Sequence, residues 1–179
     1  MKKFAELQYV RPDMEKIFAR VSGDIAALKE AKNYEEFRNA YMDYVEADTE
    51  LETSKTVAHI RNTINLLDEF YEAEMVYFNS QMPKYEILKK EMGEVIVASP
   101  FKAEMEKEFG TILIQNMEAQ KQLSDESIVD DQVKEAELVS RFMKTQAAAT
   151  VEFKGEQIGN YGLLKIMQST DRAERKEAF

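Results

Sequence analysis

The stretch VAHIRNTINLLDEFYEAEMVYF runs from Val57 to Phe78 and decides the fold. Within it Val57, Ile60, Ile64, Leu67, Tyr71, Met75 and Phe78 recur every three or four residues, the period of one face of an amphipathic helix. No glycine or proline interrupts the pattern, so by itself it permits one continuous rod to about Gln81. Asp68 is the weak point. A short carboxylate can accept from amides two or three residues further on and so begin a new helix, which predicts a break near Leu67–Asp68.

Working outward, residues 4–12 read as an extended lead-in. Pro12 disfavours helical geometry at Arg11, and Asp13 can cap a helix that starts beside it. Met14, Phe18, Val21, Ile25 and Leu28 form the face of this first helix, which ends near Ala31. Asn33 with Glu36 resembles a capping box, and Phe37, Tyr41, Tyr44 and Leu51 mark the second helix. Its apolar phase slips around Thr53–Thr56. Downstream, Pro83 is expected to start or kink another helix, with Tyr85, Leu88, Met92 and Val95 on its face. Ser99–Pro100 is a stop. Phe101, Met105, Phe109 and Ile112 continue the helical spacing with Gly110 as a joint. Ser124 and Asp125 are cap candidates for a last long helix bearing Val129, Val133, Ala136, Val139 and Met143.

The period then changes. Residues 150–158, TVEFKGEQI, alternate around Gly155 and predict a short β-hairpin. A short helix over Tyr161–Met167 comes next, and Ser169 or Thr170 is expected to cap one more. The fold expected is therefore mainly α, a multi-helix bundle of long antiparallel helices with a short β-hairpin near the C-terminus. Residues 1–146 form a helical domain and 147–179 a separate hairpin segment. Glu177, Ala178 and Phe179 fall in the middle of a helical pattern, which predicts a piece of a longer chain.

Composition narrows the chemistry. The 179 residues are 44% hydrophobic and 32% charged, with 6 Gly and 3 Pro, a globular and helix-forming usage. The net charge of −10 gives no electrostatic reason to expect nucleic acid or an anionic membrane as partner. With no cysteine, a thiol nucleophile, a zinc ribbon and a disulfide framework are excluded. No apolar run succeeds the basic start, and the longest aliphatic runs are too short to span a bilayer. Cytoplasmic localisation is the expectation.

His59 is the single histidine. A metallopeptidase helix needs two histidines a turn apart and a glutamate beside the first, so HExxH chemistry is ruled out on this chain. A di-iron bundle would need Glu-x-x-His pairs, and Thr56 stands where that glutamate would be. A carboxylate-only metal site is a remote option. Most acidic residues read as solvated helix faces, and His59 as a partly buried polar residue. No nucleophile elbow, P-loop or dinucleotide turn is present. The stripe Tyr41, Tyr44, Phe70, Tyr71, Tyr77 and Phe78 reads as core, with a peptide-binding wall as the sharper alternative.

The segments YVRPD (9–13), HIRNTINLLDEFYEAEMVYF (59–78), SPFKAEMEKEFG (99–110), VEFKGEQ (151–157) and MQSTDRAERKEAF (167–179) occur in an order that resembles the N-terminal region of oligoendopeptidase F. That family is a branch of the M3, thimet-oligopeptidase-like zinc metallopeptidases. The resemblance covers Phe4 to Phe179. It departs from the family pattern at Asn62, where a histidine is expected, and at Asn65, Leu66 and Leu67, where an acidic, threonine-rich stretch is expected. It implies a cytoplasmic zinc enzyme that cleaves short peptides, with HExxH and a downstream glutamate in a C-terminal part that these residues do not include. No zinc ligand or catalytic residue is implied here, and zinc belongs to the full-length parent. The implied partners are the C-terminal catalytic domain of the same polypeptide, to which 147–179 begins the connection, and an oligopeptide in a channel. Arg11, Arg61, Asp68 and Tyr71, from the matched motifs, are the candidate channel or inter-domain contacts. The competing reading is a stand-alone helical interaction module without enzymatic activity. Exposed apolar surface near Leu163, Ile166, Met167 and Phe179 would favour the fragment.

Overall fold

The computed structural model describes residues 4–120 and 126–178. The chain forms two compact units, Met1–Val133 and Lys134–Phe179. Among the described residues the protein is mainly helical, with eight α-helices and one two-stranded antiparallel hairpin. No helix among them is long and apolar enough to cross a membrane.

In the first unit a short 3-10 turn, Phe4–Glu6, precedes α1 (Met14–Glu30), α2 (Tyr34–Ile64), α3 (Glu69–Ala98), α4 (Lys102–Phe109) and α5 (Thr111–Gln120). Asp13 caps α1 by accepting from the Lys16 amide at 3.3 Å. Asn33 caps α2 through the Glu36 amide at 3.0 Å. The reciprocal bond of a capping box normally goes to the cap residue's own amide. Here Glu36 accepts from the amide of Lys32 at 2.9 Å, and the bonds it accepts hold its carboxyl below the usual range.

The break in the long apolar stretch is real. α2 stops at Ile64, the side chain of Asn65 accepts from the Leu67 amide at 3.1 Å, and Asp68 caps α3 through the amides of Phe70 and Tyr71 at 3.0 and 3.2 Å. Asn65, Leu66 and Leu67, the residues that depart from the family pattern, are the turn itself. The chain doubles back, so α3 runs antiparallel to α2. The Tyr85 hydroxyl, as far into α3 as Asp48 is from the end of α2, donates to Asp48 at 2.9 Å.

Pro83 does not start a helix. It lies inside the continuous α3, where its ring removes one backbone bond. Phe78, Tyr85 and Met92 on either side of it are buried, and each such burial contributes about 1.5–3 kcal/mol, enough to carry the helix across the lost bond. The core joins these to Val21, Ile25 and Leu28 of α1, Phe37, Tyr44 and Leu51 of α2, Met105 of α4 and Ile114 of α5. The aromatic stripe divides: Tyr41, Tyr44 and Phe78 are core, whereas Phe70 is 55% exposed. Ser99 ends α3, and Gly110 separates α4 from α5.

The cap candidates Ser124 and Asp125 lie outside the described residues. α6 spans Val129–Ala148. In the second unit β1 (Thr150–Phe153) pairs with β2 (Glu156–Gly159) across Lys154–Gly155. Both turn residues have positive φ, 54° and 84°, the requirement of a two-residue type I′ turn. α7 (Asn160–Met167) and α8 (Arg172–Ala178) complete the unit. The cap of α8 is Asp171, not Ser169 or Thr170: its carboxylate accepts from the Ala173 amide at 2.8 Å, while the Ser169 hydroxyl accepts from the Asp171 amide at 3.2 Å. Asp171 stands directly before the first helical residue, where a side-chain acceptor reaches the orphan amides.

Gly110 has φ 92° and ψ 152°, a region closed to side chains. Gly110→Ala should therefore cost about 1–3 kcal/mol, read as a lowered urea midpoint with unchanged slope. An unchanged midpoint would show that the α4–α5 joint adapts.

Candidate functional site

The four candidate residues meet in one place. The lead-in, residues 4–12, lies as a strap across the end of α2 and the start of α3, and polar side chains hold it there. Arg61 of α2 donates to the Leu7 carbonyl at 2.5 Å and to the Tyr71 hydroxyl at 2.5 Å, with its guanidinium over the Tyr71 ring. Tyr71 packs edge-on against Tyr9 and Phe70. Asp68 touches no strap residue by hydrogen bond. It sets the start of α3 and hence the positions of Phe70 and Tyr71. Arg11 donates through Nε to both oxygens of Glu74 at 3.0 and 3.1 Å and through Nη2 at 2.5 Å.

Glu74 is the centre of this arrangement. It is 1% exposed, the one buried charged residue among those described. Besides Arg11 it accepts a short hydrogen bond from the Tyr9 hydroxyl. Tyr77, one turn further along α3, donates to the Pro12 carbonyl at 2.9 Å and lies under the Arg11 guanidinium at 4.7 Å. Burial pushes the Glu74 carboxyl up, but the hydrogen bonds from Arg11 and Tyr9, with the Arg11 charge, outweigh it and hold it below the usual value. The Tyr9 phenol is pushed far up by burial and by its bond to Glu74. A buried carboxylate is tolerated only when paired and hydrogen-bonded, and here both conditions are met.

Sequence reasoning missed Glu74, Tyr9 and Tyr77 as a set. One signal was available: Glu74 sits three residues after Tyr71 and four before Phe78, on the apolar face of α3. A glutamate there must be matched by a cation. Arg11 was legible as a candidate; its pairing was not.

The strap also forms one wall of an open groove of about 470 Å³, where Phe4 and Leu7 face Asp48, Glu52 and Ile60 of α2. Among the described residues no group of three or more His, Cys, Asp or Glu could hold a metal ion. His59 is exposed on α2, not partly buried. The residues present do not fit a zinc centre.

These features define a class: a helical bundle whose polar side chains, the buried Glu74 at their centre, hold its own N-terminal strap. Residues 4–124 match the peptidase M3 N-terminal domain, and the chain belongs to that family. No curated protein matches it. Among solved structures it is similar to PZ peptidase A with inhibitor 2, with 31% identity, TM-score 0.93, and coverage of 98% of this chain and 31% of that one. A second, described as oligoendopeptidase F, gives 31% identity, TM-score 0.94 and coverage of 99% and 32%. A third, described as an oligoendopeptidase F from Bacillus anthracis str. Ames, gives 25% identity, TM-score 0.91 and coverage of 97% and 32%. The chain thus spans about a third of the length of the structures it matches.

Removing the two partners of the clamp should have unequal effects. Glu74→Met leaves Arg11 able to reach water, because its side chain is half exposed, and should cost about 1–3 kcal/mol. Arg11→Met strands a buried carboxylate and should cost about 3–5 kcal/mol. The pH dependence is set by the sign of the shift. In the native protein the folded carboxyl titrates below the ordinary 4.5, so the clamp stabilises fully above that pH and its contribution is lost as pH falls through the folded value. In Arg11→Met burial dominates, and acidification toward pH 5 should stabilise the variant instead. Urea titrations of both variants between pH 4 and 8 check the order and the reversal, and equal losses with parallel pH profiles would refute the account.

Proposed function

We propose that this chain is the channel-forming N-terminal part of a zinc-dependent oligoendopeptidase that hydrolyses short peptides in the cytoplasm. The observation that carries the reading is the alignment of nearly the whole chain, at a TM-score above 0.9, with one third of proteins described as peptidases. The metal would be held by the catalytic part, where it polarises the scissile carbonyl and activates water. The contribution of this chain is shape. Long antiparallel helices give a wall stiff enough to admit an extended peptide and exclude a folded protein.

Within that reading Arg11 and Tyr71 are the clamp members with surface left over for a channel or inter-domain contact. Arg61 and Asp68 act by holding the strap and the start of α3 in place. Residues 147–179 begin the connection to the catalytic domain.

The chain by itself should release no product from a quenched fluorescent peptide, with or without added zinc. The full-length gene product should do so, lose the activity to a chelator and regain it with zinc. Zinc-dependent turnover by residues 1–179 alone, or a full-length product without peptide hydrolysis, would overturn the reading.

A further inference from the structure

The second unit leaves a helical face bare. No residue of α6 is buried, yet Leu138 is 64% exposed, Val139 54%, Phe142 63% and Met143 45%. Leu138 and Phe142 are a turn apart, as are Val139 and Met143. At about 100° per residue the two pairs cover about 140° of the helix circumference. Glu137, Arg141 and Lys144 occupy the opposite side. A helix with such a stripe on one side and charges on the other is made to pack against something.

Three kinds of occupant are physically available, and two fit poorly. A lipid surface selects helices whose polar side is basic, and here Glu137 is interleaved with Arg141 and Lys144. Pairing with a second copy would bury on the order of 800 Å² from these four side chains on both copies, under the ~1,200 Å² of specific interfaces. The third occupant is more of the same polypeptide. The solved structures that this chain matches extend through about twice its own length again, which is ample to enclose one helix.

We propose that the Leu138–Met143 stripe of α6 is the seat on which the catalytic part of the parent chain packs. This rests on the peptidase reading and adds the place and chemistry of the contact. The seat is apolar and belongs to the second unit, whereas the Glu74 clamp belongs to the first. The residues expected from sequence to form this surface, Leu163, Ile166 and Met167, are half-buried within their own unit, and Phe179 lies outside the described residues. Beside them Tyr161 is 83% and Leu164 51% exposed, so α7 also keeps apolar surface free, and α6 carries the longer stripe.

The test is amide exchange across residues 137–147, compared between the full-length gene product and the chain of residues 1–179. The full-length protein should exchange there at least about tenfold more slowly, independently of protein concentration. The double variant Leu138→Lys/Phe142→Lys should leave the melting of the 1–179 chain unchanged, because both side chains are already in water, and should lower that of the full-length protein. Equal exchange in the two proteins overturns the proposal. So does protection that rises with concentration, which would make the occupant a second copy, or an equal loss of melting temperature in both, which would make the stripe part of the domain's own core. A full-length protein that cleaves peptides but leaves α6 unprotected would refute the seat alone. One that protects α6 but cleaves nothing would refute the peptidase reading alone.

Discussion

Glu74 carries a charge that the fold has taken out of water, and much of the first unit is organised around compensating it. It lies on the apolar face of α3, between half-buried Tyr71 and fully buried Phe78. An isolated carboxylate there would cost several kcal/mol. Arg11 and Tyr9 remove the penalty, and both come from the strap. A polar group in α3 therefore makes residues 4–12, which have almost no regular structure of their own, part of the fold. Arg61, Tyr71 and Tyr77 complete the attachment through the strap's carbonyls and rings.

The strap in turn depends on the turn between α2 and α3. Arg61 is in the last turn of α2, and Tyr71 in the first turn of α3. They meet only because Asn65 and Asp68 reverse the chain between them. Had the apolar stripe continued as a single rod, ten residues of helix would have held Arg61 and Tyr71 about 15 Å apart along one axis. The same reversal brings Asp48 of α2 to Tyr85 of α3 and closes the core around α1. A short polar turn thus sets both the packing of three long helices and the geometry of the clamp.

The two units contrast in how they use apolar surface. The first encloses Phe37, Leu51, Phe78 and Ile96 completely. The second, with a two-stranded hairpin and short helices, encloses little, and two-stranded hairpins are marginal without a packing partner. Membership of the M3 N-terminal family rests mostly on the first unit, since the matched region stops at residue 124. The solved structures extend the likeness through the second.

Much of this was legible in the residues. Helical periodicity, the caps at Asp13, Asn33 and Asp68, the joint at Gly110 and the Lys154–Gly155 turn are local effects, decided by groups within four residues of one another, and a sequence displays those directly. The order of the motifs carried the family. Tertiary structure alone decided that Pro83 sits inside a helix, because buried residues on both sides outweigh one lost backbone bond. It alone decided that Arg11 pairs with Glu74, an interaction across 63 positions that no local pattern encodes. It also left the apolar stripe of α6 bare, along with Tyr161 and Leu164 of α7, while Leu163, Ile166 and Met167 are half-buried. Which faces find partners is a property of how elements pack, and periodicity reports only that a face exists.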